Sequence, residues 1–143
     1  MNHSHDNNPL TRKYFKSGKL NLSYLEYGGE NEQVLVMLHG HMNDARTFSR
    51  LSAKLKGWRI IGLDQRGHRW SEHPPDMDYS RESYLNDIFN LISYELGGRP
   101  VILLGHSLGG VNANQFASRY PELVKGVSVE DNLQRLIFCR KAP

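Results

Sequence analysis

The chain has 143 residues, of which 38% are apolar and 23% charged, with a formal net charge of +3. This length suits one domain with a sizeable core, the one cysteine excludes an internal disulfide framework, and no stretch reaches the ~20 apolar residues of a membrane span. The basic residues are scattered rather than gathered on a face with aromatics, which argues against nucleic-acid binding. We therefore expect a single-domain cytoplasmic protein that binds neither nucleic acid nor a membrane.

The N-terminal part predicts a tail, a hairpin and a buried strand. Residues 1–13 begin as a polar, asparagine-rich run, and we assign them to a disordered tail. From Tyr14 the pattern becomes strand-like, with a turn at Ser17-Gly18 and period-two alternation over residues 21–27, which predicts an antiparallel hairpin at a sheet edge. The continuous apolar run 34–38 is typical of a strand covered on both faces in a parallel sheet.

The middle of the chain predicts a helix and a second buried strand. Phe48, Leu51 and Leu55 recur at helical spacing, with Asn43 or Asp44 as the helix cap. Residues 59–63 form another apolar run and lead into the polar segment Asp64-Gln-Arg-Gly-His-Arg-Trp-Ser71. A proline pair at positions 74 and 75 then predicts a loop, because paired prolines fit neither regular element.

The last third continues the alternation of helices and strands. A long amphipathic helix is expected from Ser80 to Gly97-Gly98. Its buried stripe comprises Tyr84, Ile88, Leu91 and Ile92. Residues 101–105 predict a strand, a helix follows as far as Pro121, and residues 123–129 predict one more strand. This alternation predicts an α/β domain with right-handed crossovers, whose functional groups gather at the carboxyl ends of the strands.

The run Gly105-His-Ser107-Leu-Gly109 matches the G-x-S-x-G pattern, in which a serine sits on a sharp, strained turn between a strand and a helix. Its hydroxyl is lifted clear of the sheet, and the two glycines leave room because a Cβ there would strike the neighbouring strand and helix. Ser107 is therefore the candidate nucleophile.

Three motifs together resemble the α/β-hydrolase superfamily, in its serine-nucleophile branch. They are His39-Gly40, the segment 64–71 and the segment 105–110. The resemblance covers about residues 14–131 and implies a partial core domain of three layers. Its sheet would be mostly parallel with an N-terminal antiparallel hairpin, apparently truncated after strand six. Residues 132–143 match nothing recognisable in the family and form an unassigned tail.

The resemblance also implies site residues. Ser107 matches the nucleophile, and the backbone N–H groups of Leu108 and His41 match the oxyanion hole. Glu130 or Asp131 is the possible acid. The histidine base should follow the serine in the chain, but all seven histidines precede Ser107, so the base is absent. No metal or cofactor is implied.

The segment 64–71 departs from the family pattern in one respect. The resemblance implies structural roles for Asp64, Arg66 and His68, with Arg66 donating to backbone carbonyls near the site. Arg69 stands where the family commonly has glycine, and we expect its side chain to displace the loop or force a less compact turn.

Two functions remain open. The first is a serine hydrolase that acts on small-molecule ester or related acyl substrates through an acyl-enzyme on Ser107, as an intact family member; this chain would be inactive or impaired without the base. Ser107 argues against the dehalogenase and epoxide-hydrolase branches, which place aspartate there. The alternative is a non-catalytic binding or interaction protein, or a remnant, that retains part of the fold. An exposed sheet edge would favour self-association in either case.

Overall fold

The computed structural model describes residues 10–28, 33–55 and 57–130. They form one six-stranded sheet in the order β1-β2-β4-β3-β5-β6. The strands are β1 (Thr11–Ser17), β2 (Leu20–Tyr27), β3 (Val34–Leu38), β4 (Arg59–Leu63), β5 (Val101–His106) and β6 (Val124–Glu130). The helices are α1 (Ser49–Lys54), α2 (Arg81–Asn90) and α3 (Leu108–Arg119), with 3-10 turns at Ala45–Phe48 and Pro121–Leu123 and a π-turn at Leu91–Glu95.

The N-terminal hairpin is longer than the sequence suggested. β1 pairs antiparallel with β2 from Thr11, opposite Glu26, so the strand starts before Tyr14 and takes in three residues that we had assigned to the tail. Within this extension, the guanidinium of Arg12 lies 2.6 Å from the carboxylate of Asp64. Residues 1–9 and 131–143, and with them most of the two predicted tails, lie outside the described residues.

The parallel part of the sheet brings four strand ends together. β3 pairs in parallel with both β4 and β5, and β5 pairs in parallel with β6. Their carboxyl ends therefore meet at one edge, where the three polar motifs follow them. The predicted α/β architecture, with its antiparallel hairpin, is confirmed. Among the described strands β6 pairs on one side, with β5, and self-association through its other side stays a prediction.

The sheet is covered on both faces. Val36 and Leu38 belong to the core under α2 and α3, whereas Leu35 and Met37 pack with Phe48 on the opposite face. This division follows from the period-two alternation of side chains along a strand. All five residues of β3 are buried, as the continuous apolar run predicted.

The sequence pattern identified the buried face of the helix after Ser80 correctly, but it misplaced the buried face of α1. The predicted stripe is buried at all four positions, with Tyr84 and Ile88 on α2 and Leu91 and Ile92 on the π-turn that follows it. Asp44 caps the 3-10 turn before α1 and Phe48 is buried, but Leu51, within α1, is 39% exposed. The segment starts as a 3-10 turn with about 3.0 residues per turn instead of about 3.6, which shifts the phase and turns Leu51 toward solvent.

Candidate active site

Ser107 occupies a strained turn between β5 and α3. Its backbone has φ 53° and ψ −114°, a left-handed conformation that costs a residue with a side chain about 1–3 kcal/mol. Two hydrogen bonds hold the turn: the N–H of Ser107 donates to the carbonyl oxygen of Glu130 at 2.9 Å, and its own carbonyl accepts from Val111 N–H at 3.1 Å. The side chain is half-buried. No side chain or backbone group among the described residues hydrogen-bonds its hydroxyl.

Two glycines allow this turn to pack closely. A Cβ on Gly105 would overlap the carbonyl oxygen of Gly109, and a Cβ on Gly109 would overlap the carbonyl oxygens of Leu38 and His39. The start of α3 therefore rests directly on the ends of β3 and β5, where the sequence pattern required the absence of a side chain. The same packing places the Ser107 turn beside the segment that follows β3.

The two expected oxyanion donors come from these adjoining segments. Leu108 is the first residue of α3, so its N–H belongs to the first turn, whose N–H groups receive no acceptor from the helix itself. His41 lies at the first corner of a turn that Asn43 N–H closes on the carbonyl of Gly40 at 3.1 Å. Met42 follows with φ 65°, in the position of a type II turn that usually requires glycine.

His39 is fully buried beneath this turn. Gln65 N–H donates to its Nε2 at 2.9 Å, and its Nδ1 lies 2.8 Å from the carbonyl oxygen of Gly40. Because Nε2 accepts, the ring proton resides on Nδ1 and is donated to Gly40. Burial lowers the pKa of His39 to about 4, so the ring is neutral near pH 7 and both of its nitrogens are occupied.

The segment after β4 is held by two buried carboxylates. Asp64 accepts from Ala45 N–H at 2.8 Å and from Arg12 at 2.6 Å. Arg66 donates to the carbonyl oxygen of Asp78 at 2.7 Å, the kind of backbone contact that the resemblance implied. It also forms an ion pair with Asp87, at 2.7 Å between Nε and Oδ2, which raises the pKa of the guanidinium. Sequence reasoning missed Asp87.

Arg69 does not loosen this segment, which corrects our expectation. The residue adopts φ 47°, the left-handed conformation that a glycine would take without strain. The turns around it stay tight, because His68 N–H reaches the carbonyl of Gln65 at 2.9 Å and Ser71 N–H reaches that of His68 at 3.0 Å. The exposed guanidinium lies 6.0 Å from the ring centre of Trp70.

A cavity of about 840 Å³ opens beside the turn at His41. Its lining comes from two parts of the chain: His41, Met42, Asn43 and Asp44, and Gly67, His68, Arg69, Tyr79 and Tyr84. The rings of His41 and His68 face each other edge-on, with centroids 5.7 Å apart. Ser107 is not a lining residue. His41 thus links the cavity to the expected oxyanion donors.

One candidate acid, Glu130, lies beside the serine turn. Glu130 lies opposite His106 in the sheet register, and its backbone carbonyl binds Ser107, while its side chain is exposed. Asp131 lies outside the described residues. His106 does not offer a base on the serine side: its Nδ1 is buried against Gly40, without a hydrogen-bond partner among the described residues.

Two further features bear on the class of site. Within residues 10–28, 33–55 and 57–130, no three His, Cys, Asp or Glu side chains are grouped so that they could hold a metal ion. In the same residues no helix has the length and apolar character needed to cross a membrane.

Sequence comparison shows that the chain is similar to two hydrolases and a lipase. The chain is 34% identical over 115 residues to 2-(acetamidomethylene)succinate hydrolase of Mesorhizobium japonicum, covering 80% of the chain and 40% of that protein. It is 32% identical over 114 residues to epoxide hydrolase 1 of Caenorhabditis elegans, covering 78% of the chain and 28% of the relative. It is 34% identical over 116 residues to the sn-1-specific diacylglycerol lipase ABHD11 of Mus musculus, covering 78% and 37% respectively. The chain thus spans less than half the length of each relative.

Solved structures of two hydrolases also resemble this fold. The structure of E-2-(acetamidomethylene)succinate hydrolase superposes with a TM-score of 0.74 at 31% identity, covering 84% of this chain and 44% of that one. An alpha/beta hydrolase from Novosphingobium aromaticivorans superposes with a TM-score of 0.77 at 27% identity, covering 84% and 43%. The family model for the alpha/beta hydrolase fold matches residues 33–134. The chain belongs to the α/β-hydrolase family.

Proposed function

We propose that Ser107 is the nucleophile of a serine hydrolase that acts on ester or related acyl substrates through an acyl-enzyme. The observation that carries this proposal is the strained turn at Ser107, which places a half-buried hydroxyl between the end of β5 and the first turn of α3. A hydroxyl at this position suits attack on an acyl carbon. The lipase among the relatives supports the same substrate class.

The chemistry follows from the groups around the serine. Ser107 Oγ bonds to the acyl carbon and gives its proton to a base, while the carbonyl oxygen becomes an anion. The backbone N–H groups of His41 and Leu108 would donate to that oxygen, and the dipole of α3 favours negative charge at its first turn. The anion then collapses and expels the alcohol, which takes the proton from the base. Water hydrolyses the resulting acyl-serine.

The cavity beside His41 is the proposed substrate groove. Its volume of about 840 Å³ lies within the range of small-molecule pockets. Tyr79 and Tyr84 supply aromatic surface, while Asn43, His68 and Arg69 supply polar groups. A substrate whose acyl oxygen reached the N–H of His41 would extend its remaining part into this groove.

We also propose that a substrate acylates Ser107 of this chain slowly when no external base is added. A serine hydroxyl is a weak nucleophile without an adjacent base, and none of the seven histidines follows Ser107. His39 cannot serve, because both of its nitrogens are engaged. This count also favours the second candidate, a non-catalytic binding protein that keeps the fold.

A fluorophosphonate probe distinguishes the two candidates. The chain is incubated with the probe in buffer containing imidazole, which supplies a proton acceptor, and the adduct is located by peptide mass spectrometry. We expect one adduct, on Ser107, that forms faster with increasing imidazole and disappears in Ser107→Ala. A folded chain that remains unlabelled at high imidazole would contradict the hydrolase proposal and favour the binding protein.

A further inference from the structure

A buried row of polar side chains connects α2 to the segment that follows β3. Arg81 of α2 donates to Asn112 Oδ1, and Asn112 Nδ2 donates to Gln65 Oε1 at 2.6 Å. Gln65 Nε2 donates to the carbonyl oxygen of His39 at 2.7 Å. The exposed fractions of Gln65, Asn112 and His39 are 1%, 0% and 0%. Sequence reasoning singled out neither Gln65 nor Asn112.

The hydrogen bonds of this row can be donated in one direction only, from Arg81 toward His39. A guanidinium has donors and no acceptor, so the group facing Arg81 must be the oxygen of Asn112. The amide nitrogen of Asn112 then faces Gln65 and fixes the oxygen of Gln65 on that side. The nitrogen of Gln65 is left facing His39, where it meets a carbonyl that can only accept. Each amide orientation is therefore determined by the charged residue at the far end.

Gln65 also fixes the ring of His39. Gln65 donates its backbone N–H to His39 Nε2 and its side-chain nitrogen to the His39 carbonyl, so it binds the residue at two points. The ring proton is thereby directed to Gly40, the residue before His41. Because polar groups without partners are costly in the interior, this arrangement holds both the ring and the His39-Gly40 peptide in one orientation.

We infer, resting on the proposed function, that Gln65 and Asn112 are positioning residues: the backbone N–H of Gln65 fixes the tautomer of His39, the two side-chain amides hold the His39-Gly40 peptide, and together they aim the N–H of His41 at the substrate oxygen. Asn112 acts without touching His39. It lies on α3 five residues after Ser107, so the row also couples the nucleophile helix to the oxyanion segment.

The substitution Asn112→Asp tests the direction of the row. A carboxylate there still accepts from Arg81, now as an ion pair, but donates nothing to Gln65, whose amide must then turn its oxygen toward the His39 carbonyl. We expect the ¹⁵N resonances of the His39 ring and the amide resonance of His41 to shift. Ser107 labelling by the fluorophosphonate in imidazole should slow by about tenfold or more, since losing one oxyanion donor outright costs about 10²–10³ in rate.

The control is Ser17→Ala, which removes a buried hydroxyl that donates to Asp87 and accepts from Asn90, outside the row. It should leave the two resonances and the labelling rate unchanged. The unaltered chain provides a test that needs no variant: long-range ¹H–¹⁵N spectra should show His39 protonated on Nδ1. Protonation on Nε2, or unshifted His39 and His41 resonances in Asn112→Asp, would overturn the inference. An unlabelled wild-type chain would instead count against the proposed function, while these resonances would still decide the role of the row.

Discussion

The carbonyl oxygen of Leu38 occupies the space into which a side chain on Gly109 would project. Both partners are backbone atoms at the junction of β3 and α3, so neither can move aside cheaply. We expect Gly109→Ala to destabilise the fold by about 3 kcal/mol or more, at or beyond the upper end for overpacking. Urea denaturation measures the difference. Gly126→Ala is the matched control, because a Cβ there meets no atom within 4 Å, and a loss of similar size in it would contradict the steric explanation.

The backbone strain at Ser107 gives a prediction about stability. Its φ of 53° suits glycine better than any residue with a Cβ. We expect Ser107→Gly to be more stable than Ser107→Ala by about 1 kcal/mol, although both lack the hydroxyl. Thermal unfolding of the two variants side by side isolates the strain. Equal stability of the two would show that the turn is unstrained.

The ion pair between Arg66 and Asp87 predicts non-additive substitutions. Arg66→Met leaves a carboxylate that is 1% exposed without its cation, and breaking a buried pair from one side costs about 3–5 kcal/mol. Adding Asp87→Leu removes the orphaned charge and should recover a large part of that loss. Unfolding free energies of the two single variants and the double variant measure the coupling. Simple addition of the two single effects would contradict a direct interaction.

The buried ring of His39 predicts a pH dependence of stability. Its pKa is about 4 in the folded chain, against an ordinary value of 6.5, so between these values the unfolded chain binds a proton that the folded chain does not. Stability from this group is therefore complete above pH 6.5 and falls by about 1.4 kcal/mol per pH unit as the pH drops toward 4. Urea midpoints for the wild type and His39→Gln, compared over that range, separate this residue from the other titrating groups. Parallel slopes would contradict a neutral, buried His39.

Much of the fold could be predicted because its signals are local. The apolar runs of β3 and β4 and the stripe on α2 each specify an element within a short window, and the three motifs follow strands whose ends must meet. The start of β1 at Thr11 could not be predicted, because its pairing with Glu26 and the contact of Arg12 with Asp64 join residues that are distant in sequence.

The sequence indicated those parts of the candidate site where a glycine marks an unusual backbone conformation or a close approach. Gly105 and Gly109 mark the serine turn, whereas Met42 and Arg69 take left-handed conformations that glycine usually signals. Asp87, Gln65 and Asn112 carry no such mark: each is a polar residue within an ordinary segment, and its role arises from partners more than 20 positions away in sequence. Their pairing becomes apparent once the helices are packed on the sheet.

The most direct test of the proposed mechanism is hydrolysis of a p-nitrophenyl acyl ester by the wild-type chain and Ser107→Ala, each with and without imidazole. Subtracting the Ser107→Ala rate removes the reaction of imidazole with the ester itself. We predict that the wild type shows little excess without imidazole, and that with it the excess grows and an acyl group is found on Ser107. Robust turnover without imidazole would contradict the proposal that this chain lacks a base for Ser107. An excess of zero at every imidazole concentration, in a folded chain, would contradict the assignment of Ser107 as the nucleophile.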